Sequence, residues 1–330
     1  MGEVYNGRQT RVGYVWRPAL FYAIAYTIFA LAVKLSSAWA QSQPALFLAL
    51  FCVGGSLPLL AAIRKGLTRR SQRNGPPIIW RRSNTVSGLA TVLIVANTAG
   101  AYLVDGVTIL LALVLMRMGV IAMAPILDLV FGRRVRSAAW IAFFLCLTAG
   151  LFGLFQQTFL GLGAVSLSIL AVYLMAYAVR LSLMTRDTKT HDRASRGDWF
   201  LVEMIITAVT LVLCSFYASI SLILTENVRL AQVQLAPLIA GFAYGYALII
   251  GTLIYLDWRE NAHSIMINRS ASLISGFMAS IIGFAYFGLT WPSMDQWIIA
   301  SLTICALSVL GWETIMTQNE SETQTAQRSS

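Results

Sequence analysis

Long apolar runs separated by short polar gaps fill the chain from residue 18 to residue 312. A run of about 20 apolar residues forms a helix that crosses a hydrocarbon core roughly 30 Å thick, because each helical residue rises about 1.5 Å. Ten such runs are present, which predicts an all-α polytopic membrane protein with ten transmembrane helices. The runs cover residues 18 to 36, 44 to 63, 85 to 104, 107 to 131, 137 to 155, 159 to 181, 199 to 224, 235 to 256, 270 to 290 and 296 to 312.

The composition supports the same class of protein. Of the 330 residues, 58% are hydrophobic and only 12% are charged, and the mean hydropathy is +0.71. A soluble globule could not remove that much apolar surface from water. The lipid bilayer is therefore the predicted environment of the chain.

The lysines and arginines are concentrated before the first run and in every second gap after it. The positive-inside rule assigns these segments to the cytoplasm, so both termini lie there and the number of spans is even. Arg180, at the edge of the sixth run, and Arg269, between the eighth and ninth runs, are counted with these cytoplasmic charges. Lys34, at the end of the first run, and Arg229, in the gap after the seventh run, lie on the opposite side, where solvation alone explains them. The net charge of +10 is thus a topology signal and gives no reason to predict a nucleic-acid partner.

One polar stretch divides the chain into two sets of five runs. The predicted organisation is a cytoplasmic N-terminal segment (1–17), a first five-helix half (18–181), a cytoplasmic linker (182–198), a second five-helix half (199–312) and a disordered cytoplasmic tail (313–330).

The two halves share a loose sequence pattern in their fourth and ninth runs. In the first half Arg117 is followed by Phe131-Gly132 and Trp140, and in the second half Arg269 is followed by Phe287-Gly288 and Trp297. Because each half has an odd number of spans, the second copy enters the membrane in the opposite orientation. Inverted repeats of this kind are common in secondary transporters, whose substrate site lies near the midplane between the halves.

The segment from Met116 to Gly150, in which the fourth run leads through a short basic turn into the fifth, resembles the drug/metabolite transporter superfamily in its ten-helix, EamA-like form. The resemblance implies two inverted five-helix halves, both termini inside, and transport by alternating access. Many members have an acidic residue in the turn where this chain has Arg133 and Arg134. The small relatives that export cationic drugs use a Glu in their first helix, and the first run here has no acidic residue, which disfavours a cationic drug as substrate.

Arg117 is the strongest candidate site residue, because it lies in the middle of an apolar run. A charge near the bilayer centre costs about 2.5 to 3.5 kcal/mol on insertion scales, so it is expected to face a partner or an aqueous cavity. Its guanidinium would anchor a carboxylate, a phosphate or another anionic group. The alternative is a structural arginine that donates to helix carbonyls, among them those released by Pro125.

Several other residues are candidates for a role in transport or in helix packing. Asp128 and Glu203 are candidates for proton coupling, and Pro125 is a candidate hinge. Trp199 stands at the end of a run and fits an aromatic belt. Gly241 and Gly245, one turn apart, suit close helix packing within or between protomers, which leaves a homodimer open. Four tyrosines could line a polar cavity: Tyr173, Tyr177, Tyr244 and Tyr246.

No motif for catalysis, metal or cofactor binding is found. The four cysteines fall in four different runs, His191 and His263 have no partner at ligand spacing, and no nucleophile–base arrangement is present. We therefore predict no enzyme, no metal and no cofactor. Three functions stay open: a secondary transporter of a small anionic or zwitterionic metabolite, a flippase for a lipid-linked phosphate carrier, and a non-transporting component of a larger assembly. The plain loops favour a bacterial inner membrane as the location.

Overall fold

In a computed structural model, the described part of the chain forms ten helices. The structure describes residues 13–39, 43–71, 80–104, 107–132, 135, 137–155, 163–188, 193–226, 235–256 and 261–329. These residues contain helices and their connections and no strand. The helices are α1 (Gly13–Trp39), α2 (Gln43–Ser71), α3 (Arg82–Leu103), α4 (Ile109–Val130), α5 (Ser137–Phe155), α6 (Ala164–Thr188), α7 (Arg193–Glu226), α8 (Leu235–Tyr255), α9 (Asn261–Phe287) and α10 (Met294–Ser329).

The predicted all-α class is confirmed, and the helices have the length and composition of a multi-pass membrane protein. Within the described residues, nine helices are long and apolar enough to cross a bilayer. The apolar part of α5, Ser137–Gly153, is shorter than the other spans. Large apolar side chains such as Phe144, Phe216 and Phe242 are exposed on the outside of the bundle, where a lipid environment would cover them.

Several helices extend beyond the apolar runs. Helix α6 continues to Thr188 and α7 begins at Arg193, so most of the predicted linker is helical. Helix α10 continues to Ser329, and the predicted tail of residues 313–330 is therefore helical up to that residue. Polar residues can prolong a helix outside the membrane, and hydropathy alone does not reveal it. Residues 1–12 of the predicted N-terminal segment, Arg133, Arg134, His191 and Arg229 lie outside the described residues.

The helices of the two sets of five pack against each other across the bundle. Helix α1 packs against α8 and α9, and α6 packs against α3 and α4. Helix α2 contacts α7 and α8, while α7 contacts α2 and α3. Helices α4 and α9 contact each other, as do α5 and α10. The side chains of α1, α3, α4, α6, α8 and α9 consequently meet in the interior.

Gly241 and Gly245 of α8 allow a close approach to α2 in the same protomer. A Cβ placed on Gly241 would lie 2.8 Å from the carbonyl oxygen of Ala49, and one on Gly245 would lie 3.0 Å from that of Gly54. Both distances leave too little room for a side chain against rigid backbone. These glycines were predicted to pack within or between protomers, and in the structure they pack α8 against α2 within the protomer.

Helices α4 and α9 end in the same backbone conformation. Gly132 follows α4 and Gly288 follows α9, and each has a φ of 66°. This left-handed conformation disfavours residues with a Cβ and commonly terminates helices. The two Phe-Gly pairs that the sequence pattern aligned therefore form equivalent helix ends.

Candidate functional site

Arg117, which was expected to face a partner or an aqueous cavity, is buried in the interior. It is the ninth residue of α4, and only 1% of it is exposed. Its Nη1 donates a hydrogen bond of 2.8 Å to the hydroxyl oxygen of Tyr173 on α6. The guanidinium carbon lies 5.0 Å from the ring centroid of Tyr26 on α1, within the range of a cation–π interaction. Two helices besides α4 thus hold this side chain.

Arg269 occupies the corresponding position on α9 and meets the same hydroxyl. It is the ninth residue of its helix and is fully buried, and its Nη1 lies 3.4 Å from the Tyr173 oxygen. Its guanidinium also lies 4.4 Å from the ring centroid of Tyr177. The prediction that Arg269 belongs to a gap with the cytoplasmic charges is wrong, because α9 begins eight residues earlier, at Asn261.

Each of the two arginines keeps one edge of its guanidinium unpaired. The Nε and Nη2 atoms of both Arg117 and Arg269 are buried and have no hydrogen-bond partner. These two atoms form the side-on fork with which an arginine binds two oxygens of a carboxylate or phosphate. Among the described residues, neither arginine forms an ion pair. The arrangement offers two bidentate forks to an anion.

A second polar cluster joins α3, α6, α7 and α8. Arg180 Nε lies 2.7 Å from Glu203 Oε1 in a buried ion pair, and Arg180 Nη2 donates to Thr252 at 3.0 Å. Glu203 also accepts hydrogen bonds from Ser87, at 2.9 Å, and Thr91, at 3.0 Å. This carboxylate is accordingly held as an acceptor by several donors at once.

A narrow cavity of about 30 Å³ lies next to both clusters. That volume accommodates on the order of one or two waters. Arg180 and Asn268 line it, together with tyrosines from three helices. The lining tyrosines are Tyr22, Tyr26, Tyr177, Tyr244 and Tyr255. Tyr26 also faces Arg117, and Tyr177 also faces Arg269, so these two rings contact both the cavity and the arginines.

Of the four tyrosines predicted for a cavity, three are in this region. Tyr173 binds the two arginines, Tyr177 and Tyr244 line the cavity, and all three are buried. Tyr246 lies elsewhere, 41% exposed, in a lateral groove of about 620 Å³ between α1, α2 and α8. Apart from Tyr246, the residues that line this groove are apolar, including Phe21, Ile28 and Phe242.

The remaining candidates lie at different depths. Glu203 is in the ion pair with Arg180. Asp128 is half-buried near the end of α4, and Pro125 is buried within α4, which continues past it to Val130. Trp199 is 2% exposed and donates to Glu203 Oε2 at 3.1 Å, so its assignment to an aromatic belt is wrong.

The sequence did not single out four residues of the site, which are Tyr26, Tyr255, Asn268 and Arg180. One further site residue, Arg269, has a signal in the sequence. Its alignment with Arg117 in the repeat places it in a helix, whereas the hydropathy average places it in a gap. The described residues contain no group of three or more His, Cys, Asp or Glu side chains that could hold a metal ion.

Comparisons with known proteins bear on the fold. No protein-family model matches the sequence, and no curated protein matches it. In fold, 16 solved chains are similar. One of them, described as "Crystal structure of protein", has a TM-score of 0.54 and 17% sequence identity over 90% of this chain and 97% of that chain. At this identity the likeness concerns the fold alone.

Proposed function

We propose that the protein is a secondary transporter that moves a small anionic or zwitterionic solute across the membrane by alternating access. The observation that carries the proposal is the pair Arg117 and Arg269, which both donate to the Tyr173 hydroxyl. The Nε and Nη2 atoms of each arginine have no hydrogen-bond partner and could bind an anion. Buried cations without a carboxylate partner are costly in a bilayer. An anionic group bound between the forks would compensate their charge.

Alternating access requires two halves that move relative to each other, and the helix packing supports an inverted repeat. If α1 to α5 correspond to α6 to α10, the contact of α1 with α8 matches that of α6 with α3, and α1 with α9 matches α6 with α4. Equivalent ends at Gly132 and Gly288 agree with this correspondence. The two arginines then come one from each half, which fits a substrate bound between the halves. Membership of the drug/metabolite transporter superfamily and a bacterial inner membrane are part of the same proposal.

Uptake into proteoliposomes tests this function. The probes are radiolabelled lactate, succinate, glycerol 3-phosphate, alanine and the cation tetraphenylphosphonium, each measured with the same unlabelled compound inside. We expect exchange of at least one anionic or zwitterionic probe, lost in Arg117→Gln and Arg269→Gln and kept in Arg82→Gln, whose side chain is exposed at the start of α3. Uptake of the cation alone, or full activity of Arg117→Gln, would contradict the proposal.

The lateral groove favours a second candidate, a flippase for a lipid-linked phosphate. The groove is apolar, and its residues Ala25 and Ala243 directly precede Tyr26 and Tyr244, which line the inner cavity. A hydrocarbon tail in the groove would place its phosphate beside that cavity. Dithionite quenching measures the transbilayer movement of a fluorescent isoprenyl phosphate in proteoliposomes. The flippase would be favoured if the protein moved this lipid, if Ala25→Trp abolished the movement, and if no soluble probe were exchanged.

The third candidate, a non-transporting component, would leave the polar centre unused.

A further inference from the structure

We propose that the ligand of the Arg117–Arg269 site is a dianion, an organic molecule with two negative charges. This inference rests on the proposed function and specifies its substrate class. It follows from the number of forks, from the charge of the site and from the position of the two arginines on different halves.

The number of forks sets how many oxygens the ligand must offer. Arg117 and Arg269 each present Nε and Nη2 without a partner, which makes four donor atoms in two side-on edges. One carboxylate has two oxygens and fills one fork. A phosphate monoester or a dicarboxylate has enough oxygens for both forks.

The charge of the site agrees with this count. The two Nη1 atoms lie 2.8 and 3.4 Å from one oxygen, so they are no farther apart than the sum of these distances. The nearby Glu203 is already in an ion pair with Arg180. A monoanion would leave one buried positive charge uncompensated, whereas a dianion compensates both.

Succinate and succinamate test the inference, because they are similar in size and differ by one charge. Their affinities for the purified protein are measured by isothermal titration calorimetry at pH 8, with glycerol 3-phosphate as a phosphate dianion. We expect the dianions to bind about tenfold or more tightly than succinamate, as is typical when one partner of a buried charge pair is removed. In Arg117→Gln and in Arg269→Gln the preference should vanish, while Arg82→Gln should keep it.

Equal affinities for succinate and succinamate, or no binding of either dianion at millimolar concentration, would overturn the inference. These results would leave the proposed function intact if uptake of lactate or alanine still depended on Arg117. If neither Gln variant can be purified, Arg117→Lys and Arg269→Lys retain the charge and remove the fork. An affinity for succinate that is unchanged in both Lys variants would then refute the role of the forks.

A second inference rests on a different observation, a short repeat in the first helix of each half. Residues 30–36 of α1 are Ala-Leu-Ala-Val-Lys-Leu-Ser, and residues 176–182 of α6 are Ala-Tyr-Ala-Val-Arg-Leu-Ser. The alignment places Lys34 opposite Arg180. Two cations thus occupy equivalent positions in the two halves.

These equivalent cations make contacts near opposite ends of α3. Lys34 Nζ donates to the carbonyl oxygens of Tyr102, at 3.1 Å, and Val107, at 2.8 Å, where α3 ends. Arg180 binds Glu203, which accepts from Ser87 near the start of α3. Ser87 and Tyr102 are separated on α3 by about 22 Å at 1.5 Å per residue. The Arg117–Arg269 site belongs to the interior that these two contacts flank.

We infer that Lys34 and Arg180 are reciprocal latches, each closing the path to the site from one end. Breaking the Arg180 contact should favour opening where α3 begins, and breaking the Lys34 contact should favour opening where α3 ends. Lys34 joins α1 to the end of α3, and Arg180 joins α6 to α7, so the inference requires that α1 and α6 move relative to these neighbouring helices. Its test measures access and does not depend on the identity of the ligand.

A cysteine at Ile94, a buried cavity residue in the middle of α3, reports access from either end. It is introduced after replacement of Cys52, Cys146, Cys214 and Cys305, and labelled with a membrane-impermeant maleimide in vesicles of either orientation. We expect Arg180→Met to increase labelling from one side several-fold and Lys34→Met to increase it from the other. Arg180→Lys and Lys34→Arg keep the charge and should increase labelling less than the Met variants.

Increased labelling from the same side in both Met variants, or unchanged labelling in both, would overturn the inference. If Arg180→Met does not fold, Thr252→Val removes one hydrogen bond of Arg180 and should shift labelling in the same direction. Anion binding at Arg117 is measured in parallel, so that a failed latch and a failed transporter proposal give different results.

Discussion

Arg117 of α4 and Arg269 of α9 donate to one oxygen, the hydroxyl of Tyr173. Two like charges at about 6 Å repel each other by about 3 kcal/mol at an effective dielectric constant of roughly 20. Tyr173 and the rings of Tyr26 and Tyr177 provide the compensating interactions. The centre of the bundle therefore combines electrostatic repulsion with a small number of specific contacts, and its stability should respond to changes in either.

Tyr173→Phe should destabilise the protein by about 1.5 to 3 kcal/mol, the usual range for hydrogen bonds to charged groups. The Tyr173 hydroxyl accepts from both arginines, at 2.8 and 3.4 Å, so the substitution removes two hydrogen bonds from charged donors. Thermal unfolding of the detergent-purified protein measures the effect. Tyr286→Phe is the control, because that side chain is 80% exposed and should change stability little. Equal melting temperatures for both variants would show that the shared contact contributes nothing.

Arg117→Gln should be less destabilising in the Tyr173→Phe background than in the parent protein. Without the hydroxyl, the repulsion between Arg117 and Arg269 is no longer offset, so removing one charge relieves it. A double-mutant cycle on melting free energies isolates this coupling, which for residues in contact is about 0.5 to 3 kcal/mol. Additive effects of the two substitutions would mean that the hydroxyl and the two charges act independently.

The contrast between Arg117 and Arg269 shows what the sequence could predict. Arg117 is flanked by apolar residues on both sides, so its burial in a helix was evident from the pattern. Arg269 and Arg180 stand next to polar stretches that continue α9 and α6 beyond the apolar runs. Hydropathy averages along the chain and does not register which face of a helix points inward. The alignment of Arg269 with Arg117 carried the information that hydropathy lacked.

The partners of these residues were beyond the reach of the sequence for another reason. The Arg180–Glu203 pair and the placement of Tyr26 against Arg117 depend on which helices pack together, and nothing local in the chain specifies that α6 contacts α3 and α4. The ten-helix plan and the buried Arg117 were predictable from the chain. The Tyr173 contact with both arginines required the packed bundle.

Glu203→Gln should be strongly destabilising, by about 3 to 5 kcal/mol, because it leaves Arg180 as an uncompensated buried charge. The carboxylate also accepts from Ser87, Thr91 and Trp199, and an amide nitrogen in its place would face donors. Unfolding in a denaturant series checks the magnitude. The double variant Glu203→Gln with Arg180→Gln serves as the internal control, since removing both charges should recover part of the loss. A double variant less stable than Glu203→Gln alone would contradict a charge-based explanation.

Gly241→Ala should weaken the packing of α8 on α2 despite the better helix propensity of alanine. The new methyl group would lie 2.8 Å from the carbonyl oxygen of Ala49 and 2.9 Å from Val53 Cβ, so the helices must separate. Overpacking of this kind typically costs about 1 to 3 kcal/mol. Gly150→Ala in α5 is the matched control, because its methyl group would meet only the flexible end of Met118, at 3.6 Å. Melting temperatures of the two variants in the same detergent decide the point: we expect a decrease for Gly241→Ala and none for Gly150→Ala. A Gly241→Ala variant as stable as the parent would mean that α2 and α8 can separate at no cost.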